Sequence, residues 1–93
     1  MKSIITDDTE HCYICGTTQN IQMHHIFFGT SNRKQSEFFG LKVPLCIYCH
    51  TGSNHAVHQN IVTDMRLKIK GQEKFEETHS RDQFIKIFGR SYL

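Results

Sequence analysis

Ninety-three residues and 10.9 kDa make one small domain, too short for a barrel, a doubly wound sheet or two independent cores. Hydrophobic residues are 38% of the chain, lean enough that a disulfide, a metal or a partner is expected to staple the core. Eleven Lys and Arg against nine Asp and Glu give +2, which excludes a protein that holds nucleic acid by bulk charge alone.

Residues 1–10, MKSIITDDTE, turn acidic where an export signal would need an apolar stretch, so they are expected to form a poorly ordered arm on a cytoplasmic protein. Cys12 and Cys15 follow as a C-x-x-C knuckle running into turn-prone Gly16-Thr17-Thr18. Residues 20–28 carry Ile21, Met23 and then a dense apolar run, which predicts a short strand. Residues 29–40 predict a loop with Arg33 and Lys34 at its tip. Residues 41–47 alternate apolar and other side chains, a second strand in which Pro44 marks an edge or an end. The two strands would form an antiparallel hairpin. A second knuckle, Cys46-x-x-Cys49, leads into His50-Thr51-Gly52.

From about Ala56 the period becomes helical, with Ile61, Met65, Lys68 and Ile69 on one face, Val62 flanking it and Gly71 weakening the run. Ser80-Arg81-Asp82-Gln83 reads as a capping box, Phe84, Ile85, Ile87 and Phe88 as a short apolar helix, and Gly89 as its stop. No apolar run reaches ~18 residues, so no membrane span is expected. The expected organisation is an arm over 1–10 and a single domain over 11–93, the α+β core in 11–60 and helices in 61–93.

Four Cys and seven His are the conspicuous feature. Two C-x-x-C knuckles separated by thirty residues can present Cys12, Cys15, Cys46 and Cys49 tetrahedrally to one structural Zn²⁺ at ~2.3 Å. Two disulfides or unpaired core cysteines are the competing explanations, but a reducing compartment and the very small ring of a C-x-x-C disulfide weigh against the first. Four thiolates around one divalent ion would also offset the formal charge, focusing any phosphate affinity at a second metal and a few nearby cations.

The zinc knuckles leave the histidines unexplained. His24-His25 end the first strand, His50 follows the second knuckle, and His55 and His58 precede the long helix. Neighbouring strand residues face opposite sides, so His24 and His25 reach one cleft only through a bend or the strand's end. A zinc clamping residue 15 to residue 46 would bring His24, His50 and His58 around a second divalent ion. His25 would stand beside it, free to take a proton from water, for which an imidazole of ordinary pKa ~6.5 is well matched. His55 is either a spare ligand or a loop residue. Asn54 could orient a base, bind the ion or make the turn with Ser53. His11 and His79 read as ordinary histidines.

Cys12-Tyr13-Ile14-Cys15-Gly16, Met23-His24-His25-Ile26, Gly40-Leu41-Lys42-Val43-Pro44-Leu45-Cys46-Ile47-Tyr48-Cys49-His50 and Val57-His58 together resemble the HNH (ββα-metal) endonucleases over residues 11 to 60. With the tail Phe84-Ile85-Lys86-Ile87-Phe88-Gly89-Arg90-Ser91-Tyr92-Leu93, the pattern is similar to small HNH-type proteins of phages and prophages of Gram-positive bacteria. The resemblance implies a zinc-stabilised ββα-metal (HNH/His-Me finger) fold of α+β class with extra C-terminal helices, acting in the cytoplasm of a bacterial host. It implies a DNA endonuclease in which His25 is the general base and His24 with His50 or His58 binds a catalytic Mg²⁺, Mn²⁺, Ni²⁺ or Zn²⁺. Two stretches depart from the family. Leu41 stands where an Asn is usual, leaving a backbone carbonyl or Asn54 to orient His25, and Gly52-Ser53-Asn54 replace the usual Lys-Thr.

Arg33, Lys34 and Lys42, with Arg66 and Lys68 on the helix, are the candidate phosphate contacts. Nothing resembles a base-reading helix, so sequence preference should be weak. Phe27, Phe28, Phe38 and Phe39 could stack on bases but read more simply as core. A catalytically silent zinc module that binds nucleic acid or a phage protein, and a histidine-rich metal binder, are the alternative functions. The C-terminal helices must bury their apolar face against the core, a second copy or a phage protein.

Overall fold

A computed structural model describes all 93 residues. Both expected strands form. β1 (Ile21–His25) and β2 (Lys42–Cys46) pair antiparallel with His24 opposite Val43 and Met23 opposite Pro44. Pro44 is tolerated in mid-strand because both strands of a two-stranded sheet are edges. On that outer edge its carbonyl accepts a hydrogen bond from Tyr13 N–H at 2.8 Å, which hangs the first knuckle on β2.

The segment expected as a loop is instead a helix, α1 (Thr30–Phe39). Its only buried residue is Ser36, whose hydroxyl donates to the Phe27 carbonyl at 2.7 Å and accepts from Phe27 N–H at 3.1 Å. The helix is thus docked by a hydroxyl that satisfies two backbone groups just after β1 and by Phe39 at its last turn, which packs on Phe75, with no apolar stripe along its length. Gly40 ends it in the left-handed region at φ 71°, and the Lys2 carbonyl lies where a Cβ would stand. Residues 1–10 contain no helix or strand, yet Ile4 N–H donates to Gly40 O at 2.9 Å and Ser3 Oγ to Lys42 O at 2.6 Å, so the arm is fastened along β2.

After β2 the chain makes a single π-helical turn, Tyr48–Gly52, and reaches α2 (Ile61–Phe75), which Asn60 caps by accepting from Val62 and Thr63 N–H. The buried side of α2 is Asp64, Leu67, Gly71, Gln72 and Phe75. Of the face expected from Ile61, Met65, Lys68 and Ile69, with Val62 flanking, Ile61 and Val62 are 75% and 56% exposed while Met65, Lys68 and Ile69 are half-buried, so the expected stripe lies at the edge of the buried side. Two features rotate the helix. Gly71 lets α2 approach the rings and methyls of Phe27 and Ile26, and Gln72, fully buried, accepts from Tyr92 N–H at 2.7 Å and donates to Ser91 Oγ at 3.0 Å.

α3 (Arg81–Phe88) forms with the complete Ser80–Gln83 capping box and a left-handed Gly89. Its apolar face is used within the chain. Phe84 and Phe88 meet Phe27 with ring centroids 5.1 and 4.7 Å apart, and Phe84 meets Phe75 at 5.3 Å. Phe84→Ala is expected to lose about 3–5 kcal/mol of stability, read as a lower denaturation midpoint with an unchanged denaturant slope. No helix is long and apolar enough to cross a membrane.

Candidate metal centres and catalytic cleft

The sulfurs of Cys12, Cys15, Cys46 and Cys49 lie within 4.8 Å of one another, and none is in a disulfide. Cys15 Sγ and Cys46 Sγ are 3.6 Å apart, close to the roughly 3.8 Å edge of a tetrahedron of thiolates at ~2.3 Å from zinc. Burial pushes the Cys12 thiol up, but the N–H groups of Cys15, Cys46 and Ile14 outweigh it and bring the thiol down to about 6. Burial and the Cys46 and Cys12 sulfurs push Cys49 upward. One thiol is thus ready to ionise while its neighbour resists, since like charges crowd a buried site. A divalent cation removes that conflict. The cluster fits a structural metal such as zinc.

A second cluster stands beside it. β1 supplies His24, the π turn supplies His50, and the loop before α2 supplies His58. Val57 N–H donates to Cys49 O at 2.9 Å and His58 N–H to His50 O at 3.2 Å, folding that loop back along the turn. Nitrogens of the three rings lie within 4.8 Å of one another. His50 Nε2 and His58 Nε2 are 3.1 Å apart, a spacing between the roughly 2.9 and 3.4 Å expected of right-angle and tetrahedral ligand pairs at ~2.0–2.1 Å from one ion.

His50 Nδ1–H donates to Gln22 Oε1 at 2.8 Å, which leaves Nε2 as the free lone pair. Gln22 precedes His24 by two residues and shares its strand face. Burial first, then the neighbouring His50 and His58, hold the His24 ring down to about 3, so it is neutral at neutral pH. Its Nε2 is buried with no hydrogen-bond partner. Such an orphan costs on the order of 1–3 kcal/mol, and a cation would be its missing partner. The donor set therefore fits a divalent ion that accepts imidazole nitrogen.

His24, His50 and His58 line a cleft of about 290 Å³ together with His25, Phe28 and Arg33. His25 closes β1 and reaches the cleft from the strand's end. Its Nε2–H donates to Glu37 Oε1 at 2.8 Å, which leaves Nδ1 as the basic nitrogen. The other carboxylate oxygen accepts from Lys42 Nζ at 2.7 Å. Lys42, then His25, holds Glu37 well below the usual carboxylate range.

Glu37 and Gln22 were not among the residues expected from the sequence. Gln22 could have been found from its two-residue offset to His24. Glu37 carries no local signal, because nothing in the apolar pattern of residues 29–40 marks the helix that presents it.

The remaining candidates separate. His55 lies with the sulfurs, not the imidazoles, its Nε2 3.8 Å from Cys49 Sγ. Asn54 is an exposed loop residue whose carbonyl accepts from Asn60 Nδ2 at 3.2 Å, and it does not line the cleft. Arg33 does, and Arg33 and Lys34 line an adjoining recess with His25 and Glu37. Lys42, expected at a phosphate, is committed to Glu37. Lys68 is paired with Asp64 at 2.8 Å and lies 4.3 Å from the Phe28 ring centroid.

Phe27 is core and Phe28 is partly exposed at the cleft. Phe38 is exposed, and Phe39 packs on Phe75. His11 pairs with Asp8 and His79 stacks on Phe75. Comparisons with protein-family models, curated proteins and solved structures return no match to the chain.

Proposed function

We propose that the chain is a metal-dependent DNA endonuclease of the ββα-metal type, hydrolysing phosphodiester bonds with weak sequence preference. The observation that carries this reading is the cleft itself. Three imidazole nitrogens converge within 4.8 Å, and a fourth histidine, anchored at 2.8 Å by a carboxylate, lines the same cavity. The hairpin, the π turn and the helix that follow in order suit that fold type.

His24, His50 and His58 would hold a divalent ion, which supplies Lewis-acid stabilisation of charge on the scissile phosphate and the leaving 3′ oxygen. His25 takes the proton of the attacking water on Nδ1. Glu37 keeps the ring in that tautomer and stabilises the imidazolium that results, filling the place left by the Asn that Leu41 replaces. Arg33 and Lys34 hold the backbone without reading bases. The thiolate-bound zinc does no chemistry and fixes the scaffold.

The test is nicking of supercoiled plasmid by wild type and His25→Ala across Mg²⁺, Mn²⁺, Ni²⁺ and Zn²⁺. Wild-type nicking that the substitution removes supports the reading. A wild type that binds DNA yet nicks under no metal replaces it with the silent zinc module, and metal affinity with no DNA binding replaces it with a metal-binding protein.

Glu37 acts through His25, so it is a positioning residue. Glu37→Ala is expected to lower nicking by about 10–100-fold, in kcat and not in KM. Glu37→Gln, which keeps an acceptor for His25 Nε2–H, should recover part of the loss.

A further inference from the structure

The loop from His50 to His58 has two sides. One faces the cleft. The other borders a groove of about 480 Å³ lined by Tyr13 and Ile14 of the first knuckle, His55, and Thr63, Arg66 and Lys70 of α2, with Leu67 at its floor. Arg66 and Lys70 are four residues apart and therefore on one side of the helix.

The charge pattern of α2 sets these two cations apart. Lys68 is neutralised by Asp64 and Lys74 by Glu77. Arg66 and Lys70 have no acidic partner among the ion pairs of the molecule, and no carboxylate lines the groove. The opposite wall is apolar and presented to solvent, Tyr13 being 38% and Ile14 41% exposed. His55 stands between the groove and the Cys49 sulfur, so the groove is bordered by an imidazole on the side of the thiolates. Unpaired cations facing a flat ring suit a nucleic-acid strand, with phosphates on the cations and a sugar or base on the ring.

We propose that this groove is a second DNA-binding subsite, holding the stretch of substrate that flanks the scissile phosphate. Arg66 and Lys70 take phosphates and Tyr13 takes a base or sugar. The inference rests on the nuclease reading for its substrate. The loop that carries His50 and His58 into the cleft also carries His55 into the groove, so the two sites share one connecting segment.

The experiment measures fluorescence-anisotropy binding of a short duplex and a single strand over a salt series, in a His25→Ala background that prevents turnover. Arg66→Ala/Lys70→Ala should weaken binding about ten-fold and reduce the slope of log affinity against log salt by about 1.4–1.8, the release expected for two phosphate contacts. Tyr13→Ala should weaken the single strand about ten-fold and leave the salt slope unchanged. Zinc content and the thermal midpoint of each variant are measured alongside, so that a loss from misfolding is visible.

Unchanged affinity and slope in the double variant overturn the subsite. If the double variant shows the loss while wild type, with His25 intact, nicks under no metal, the subsite stands and the nuclease reading fails. If wild type nicks and the double variant binds as its background does, only the subsite fails.

Discussion

His25→Ala is expected to lower plasmid nicking by about two to four orders of magnitude, the usual worth of a positioned general base, with both metal centres and the fold retained. The fold should persist because His25 is outside the aromatic core and its one side-chain hydrogen bond is to Glu37. The metal centres should persist because neither ligand set includes it. What is lost is the only cleft imidazole that is held by a carboxylate on one nitrogen and is basic at the other. The measurement is the nicking rate at saturating metal beside metal content by elemental analysis. An alanine variant that nicks at the wild-type rate places the base elsewhere and removes the proposed mechanism.

Cys46→Ser is expected to abolish cooperative folding. A structural zinc contributes an apparent ~10–16 kcal/mol, against a total stability of about 5–15 kcal/mol for a domain. An ion held there would therefore be worth about as much as the whole net stability of the domain. Cys46 closes β2 and is buried at 2% exposure, so its loss breaks the tie between the hairpin and the first knuckle. Circular dichroism and thermal denaturation of the variant, and of wild type titrated with a chelator, read the outcome. A metal-free chain that still melts in one sharp transition would show that the aromatic cluster suffices alone. This result tests the scaffold and is the same whatever the function.

The parts of the fold legible in the sequence are those written in local chemistry. Val43 and Leu45 alternate with Lys42 and Pro44 and form a strand. Ser80 and Gln83 cap each other as their spacing requires, and Gly89 stops the helix. The cysteine spacing gathers four sulfurs, and the histidines on either side of it gather three nitrogens.

What could not be read depended on tertiary contact. α1 has no apolar stripe, because Ser36 docks it through hydrogen bonds to Phe27, and hydrophobic periodicity is blind to such a helix. Missing α1 also hid Glu37. The orientation of α2 is hidden for a related reason, since a glycine and a glutamine, Gly71 and Gln72, face its core where isoleucines would be looked for.

Cys49 and His50 are adjacent in the π turn, yet one points into the sulfur cluster and the other into the imidazole cluster. A single peptide bond therefore joins the two donor clusters. That junction has no slack: one inserted residue would turn a donor of one set or the other away from its partners. The turn between α2 and α3 holds no member of either donor set, but His79 stacks on Phe75 and Ser80 caps α3, so an insertion there is confined to the exposed Glu77 and Thr78.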